Sequence, residues 1–129
     1  MRRVSLILPF ILAASVAVAA PVEKKKGGGD SFIQLHSLTA TVLLSDHRYG
    51  VLQVDIGVDV PDSALRKRAE ESIPRLQDAF VREMATYVPS IPPGGAPNPD
   101  ILSVQLQRAV DRVLGRPGAK VLLGSMLVN

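Results

Sequence analysis

The 129-residue chain has 15 basic and 12 acidic side chains, two histidines and no cysteine, which excludes disulfides, thiolate catalysis and cysteine-held metals. Its net charge of +3 sits in the first 30 residues, where five basic side chains meet two acidic ones; Ser31 to Asn129 hold ten of each sign. A neutral domain without Trp and with 4% aromatic residues lacks the basic patch and the stacking surface of a nucleic-acid binder.

Arg2-Arg3 precede an uncharged apolar run from Val4 to Ala20. A basic start, an apolar centre and the small residues Ala17-Val18-Ala19 describe a secretory signal peptide, cut before Ala20. The arginine pair also admits a twin-arginine signal. The same run reads as an uncleaved anchor, since its length of about 26 Å at ~1.5 Å per residue approaches the ~30 Å hydrocarbon core. Both readings place the remainder of the chain outside the cytoplasm. Lys24-Lys25-Lys26-Gly27-Gly28-Gly29-Asp30 is a flexible linker, with the lysines solvated or set against anionic lipid. The expected division is therefore 1–20 signal peptide or membrane anchor, 21–30 Lys/Gly-rich linker and 31–129 one folded domain.

Within that domain Ser31 to Leu44 is expected to be a strand, with Leu38, Ala40, Val42 and Leu44 on one face. A polar loop, Ser45 to Gly50, joins it to a second, antiparallel strand. There Leu52, Val54, Ile56, Val58 and Val60 alternate with Gln53, Asp55, Gly57 and Asp59. Pro61 ends that strand and Asp62 caps a helix. Leu65, Ala69, Ile73, Leu76, Phe80, Met84 and Tyr87 form one stripe along Ser63 to Val88, and Pro74 predicts a kink or break within it. On its surface Arg66/Glu70, Lys67/Glu71, Glu71/Arg75 and Asp78/Arg82 are spaced for ion pairs.

Five prolines and Gly94-Gly95 make residues 89–99 a stiff loop. Asp100 is the expected cap of a second helix, Ile101 to Leu114, stopped by Gly115. Lys120 to Val128 is a last strand, apolar on both faces and so expected to be central or well covered. The fold class expected is α+β: a small sheet of about three strands in the order β-β-α-α-β, with two amphipathic helices on one face.

No catalytic constellation is legible. His36 falls in a strand and His47 in a loop, no paired-histidine, phosphate-loop or nucleophile-elbow spacing occurs, and Ser125 has no identifiable base. Asp55 and Asp59 share a strand face but stand about 13 Å apart at ~3.3 Å per residue, too far to chelate one ion alone. No enzyme activity, cofactor or metal is therefore expected.

The strand YGVLQVDIGVDV, the helices ALRKRAEESIPRLQDAFVREMATY and ILSVQLQRAVDRVLG, and the closing strand AKVLLGSMLVN resemble, in order and register, the flagellar basal-body-associated FliL family. The resemblance covers about Leu35 to Asn129. It implies a stomatin/prohibitin-like periplasmic domain without enzymatic activity, attached to the inner membrane, assembling side by side and acting with flagellar stator and basal-body proteins in motility. The alternative is an exported small-ligand or lipid-binding module with no flagellar role, which needs a concave apolar pocket. For the first reading, the expected contact between copies comprises Arg66, Lys67, Arg68, Glu70, Glu71 and Arg75 on the first half of the long helix. Asp55 and Asp59 on the strand face beside it complete the contact, in a head-to-tail arrangement.

Overall fold

The computed structural model describes residues 29–129. The signal or anchor at 1–20 and linker residues 21–28 lie outside the described residues. Four strands and three helices make an α+β fold. β1 (Phe32–Gln34) and β2 (Leu38–Leu43) are followed by β3 (Tyr49–Asp59). Helices α1 (Ser63–Glu71), α2 (Ile73–Tyr87) and α3 (Pro99–Leu114) come next, and β4 (Lys120–Val128) closes the chain.

β3 is the central strand, and its alternation is the reason. Leu52, Val54, Ile56 and Val58 are buried on one face beneath the helices. β4 pairs antiparallel along Leu52 to Asp59. β1 and β2 pair antiparallel with Gly57–Asp59 and Tyr49–Val54. Because β4 overlaps both stretches, β1 and β2 share the other side of β3, end to end. The single expected strand from Ser31 to Leu44 is thus one edge row, interrupted at Leu35-His36-Ser37.

The expected long helix breaks at Ser72. Pro74 has no N–H for the Glu70 carbonyl, and it falls in the first turn of α2, where the missing donor costs nothing. Asp62 caps α1 as expected, its carboxylate accepting the Leu65 N–H at 2.8 Å. The stripe holds across the break: Leu65, Ala69, Leu76, Phe80, Met84 and Tyr87 are buried, with Ile73 packed at the margin. α2 lies over β2 and α3 over β4, so both cover the same sheet face.

Three expectations need correction. β4 is an edge strand, because among the described residues it pairs with β3 alone, and its outward residue Leu127 stays exposed. α3 starts at Pro99, and its cap is Asn98, whose side-chain oxygen accepts the Asp100 and Ile101 N–H groups at 3.0 and 3.3 Å. Asp100 sits inside the first turn instead, where its charge still suits the helix dipole. Of the four expected helix-surface ion pairs, only Asp78–Arg82 closes among the described residues, at 3.1 Å. The other charges point to solvent or bond elsewhere.

Candidate interaction surface

The eight residues expected to form a contact between copies do not share one surface. Asp55 and Asp59 project from the sheet face opposite the helices. On α1, Arg66 donates to the Val60 carbonyl at 3.1 Å, and Arg68 donates to the Leu114 carbonyl at 2.9 Å, closing the end of α3. These two arginines fasten the fold. Lys67, Glu70 and Glu71 stay exposed on α1, and Arg75 lines the groove between α2 and α3 with Asp78, Arg82 and Arg112.

Asp55 has a specific structural setting. β4 slips by one residue beside it: Val54 faces Met126 and Ile56 faces Leu123, so Gly124 and Ser125 both stand opposite Asp55. The other edge slips at the same place. Leu38 faces Val54 and the Leu35 N–H bonds the Ile56 carbonyl, so His36 and Ser37 both stand opposite Asp55. Each bulge delivers one serine. Ser37 donates to one carboxylate oxygen and Ser125 to the other, both at 2.6 Å. The Ser125 and Ser37 hydroxyls hold this carboxyl below its ordinary value. Asp59 is likewise engaged, accepting from the Ser31 hydroxyl. Among the described residues no group of three or more His, Cys, Asp or Glu is placed to hold a metal ion. No helix among them is long and apolar enough to cross a membrane.

The bare sheet face changes character toward the β2–β3 hairpin. Tyr49 stands opposite Leu43, Val51 opposite Thr41, and Leu127 opposite Gln53. Tyr49 is 78% exposed, Leu127 52% and Val51 47%, which gathers the exposed apolar surface of the sheet at one end. Phe32, toward the other end, is covered differently: its ring lies over Gly57, where a Cβ would come 2.3 Å from it. The chain enters the sheet at β1, beside Asp59. The hairpin end is therefore about 33 Å away along β3, at ~3.3 Å per residue.

The proline-rich loop is built onto this far end. Its Gly94 N–H donates to the Leu43 carbonyl at 2.9 Å. Gly94 has φ +69°, and a Cβ there would meet Ser45 at 2.7 Å, so glycine is required. Tyr87 pins the loop's return: its hydroxyl accepts the Asn98 N–H and donates to the Asn98 carbonyl. Beneath the loop is an apolar cleft of about 280 Å³, lined by Val42, Leu44, Ile91, Pro97 and Val128.

A glutamine caps each sheet edge, Gln107 at the end where the chain enters and Gln77 at the interruption opposite Asp55. Gln107 of α3 accepts the Val121 N–H at 2.9 Å and donates to the Ala119 carbonyl at 2.6 Å. Gln77 of α2 donates to the His36 carbonyl at 3.2 Å. Neither glutamine is conspicuous in the sequence, and their helix positions alone do not show which strand edge they reach. No protein-family model matches the chain, and no curated protein matches it at a significant level.

Proposed function

We propose that this is a non-enzymatic, FliL-like interaction domain that works outside the cytoplasm. In this reading it is tethered to the inner membrane or released after signal cleavage, and supports the flagellar motor and its stator through self-association. The observation carrying this reading is the end of the sheet remote from the linker. There exposed Tyr49, Val51 and Leu127 lie together on a face without helices. A surface of this composition, with an aromatic anchor among aliphatic residues, suits protein contacts. The test is Tyr49→Ala with Leu127→Glu in the full chain, in the source bacterium. Swimming speed and multimers trapped by formaldehyde should both fall while the fold survives. Normal swimming and unchanged multimers would refute the reading.

One observation favours the alternative module, an apolar cleft beneath the proline-rich loop. Its volume is that of a short aliphatic chain. Dodecanoate, titrated against the full chain, decides between them: saturable binding lost in Val42→Trp supports a ligand site, and no binding removes it.

A further inference from the structure

A cavity of about 970 Å³ opens where the two bulges converge on Asp55. It runs from the bare sheet face over the interruption between β1 and β2, as far as Ile73 in the first turn of α2. Ser37 and Ser125 both point their hydroxyl protons at the Asp55 carboxylate, so each hydroxyl has only lone pairs left to offer. Gln34 stands on the same wall. Its side-chain N–H₂ donates to the Leu35 and Ile56 carbonyls at 3.1 and 3.0 Å, which leaves its oxygen without a partner among the described residues. His36 completes the wall, and its neutral ring adds one acceptor nitrogen. Acceptors thus gather around one full negative charge. No basic side chain among the described residues pairs with that charge.

We propose that this cavity binds an aliphatic cation, with an ammonium or guanidinium head on Asp55 and its hydrocarbon stem along Leu35 and Ile73. Such a head is made of donors alone and matches a ring of acceptors. Leu35 and Ile73 give its methylenes the apolar wall against which long basic side chains lay their stems. A divalent metal ion is a poorer match. It calls for several charged oxygens, and among the described residues no group of three or more His, Cys, Asp or Glu is placed to hold one. The double bulge fits a binding role, because regular pairing is given up on both flanking strands at the same residue, and bulges re-aim side chains beside sites. Asp59, the other carboxylate of this face, stands opposite Lys120 and does not line the cavity. The head is supplied by a free amine or by a basic side chain of a polypeptide, and the inference does not rest on self-association.

The test titrates the isotope-labelled full chain with n-butylammonium, n-butylguanidinium and the neutral n-butanol, read from amide NMR shifts. Saturable shifts at Ser37, Gly124 and Ser125 are expected with both cations, weakening as salt rises, and none with butanol. Asp55→Asn removes the charge and should weaken binding about tenfold or more, since a charge-assisted contact becomes a neutral one. Asp59→Asn should leave binding unchanged. Ser125→Lys sets the chain's own ammonium beside Asp55 and should abolish binding, which keeps the test decisive if Asp55→Asn fails to fold. Replacing Lys24, Lys25 and Lys26 by Gln separates the sources. Tighter binding means that the linker lysines compete for the cavity, equal binding assigns it to a cation from outside the chain, and both support the site. Equal shifts with butanol, equal weakening by Asp55→Asn and Asp59→Asn, or undiminished binding to Ser125→Lys would overturn the inference. So would the absence of saturable shifts in both the parent and the linker variant.

Discussion

Asp55→Ala separates an internal role for Asp55 from a role in contact between copies. The carboxylate holds Ser37 and Ser125 at 2.6 Å each, where bulges on both flanking strands converge on one residue of β3. A net hydrogen bond contributes about 0.5–1.5 kcal/mol, more with a charged acceptor but less where solvent competes, as it does on this bare face. Two such bonds make the cost of Asp55→Ala about 1–3 kcal/mol. In a domain this size each kcal/mol moves the melting temperature by roughly 4–8 °C. Calorimetry on the parent chain, Asp55→Ala, Ser37→Ala, Ser125→Ala and the doubles provides the measurement. Each serine variant should lose about half the effect, and each should cost little once Asp55 is already alanine, with a coupling of about 0.5–1.5 kcal/mol. Asp55→Asn should lose least, because its amide oxygen still accepts one hydroxyl and its N–H₂ can donate to the other. The reasoning fails if Asp55→Ala melts within about 1 °C of the parent, or if the serine and aspartate losses simply add. Unchanged stability with lost multimers would return Asp55 to the contact surface between copies.

Acid should weaken the fold through two carboxyls held below their ordinary value of 3.8: Asp55, by Ser125 and Ser37, and Asp62, by the Leu65 N–H and then Arg116. Their stabilisation is complete above the unfolded value and is lost as pH falls through the folded one, so melting temperature should drop below about pH 4 and drop less in Asp55→Asn. Phe80, fully buried between the helices and the sheet, should cost about 3–5 kcal/mol as alanine. Urea unfolding that shifts by less than about 1 kcal/mol would place it outside the core. Tyr87→Phe strips the Asn98 N–H of its partner and should cost about 1–2 kcal/mol. Proteolysis should then cut the proline-rich loop sooner, and unchanged cleavage would show that the hydroxyl does not pin it.

Local order was legible in the sequence because it depends on near neighbours. The alternation from Leu52 to Val60, the stripe from Leu65 to Tyr87, the cap at Asp62 and the break ahead of Pro74 all rest on residues a few positions apart, and the structure has each of them. Even there, two good caps within three residues, Asn98 and Asp100, left the choice to backbone geometry, and Asn98 won. What the tertiary structure alone decided depends on distant partners. Asp55 meets serines 18 and 70 positions away, and Arg68 reaches a carbonyl 46 positions away. β4 reads as a buried strand from its composition, yet it lies at the edge because nothing pairs beyond it among the described residues. Arg66, spaced for Glu70 on its own helix, bonds the Val60 carbonyl instead, because a backbone acceptor just past the end of β3 competes for the same donor. Periodicity tells which side of an element faces the core; which element lies beside it, and so which charges and which edges stay free, is settled only when the chain closes on itself.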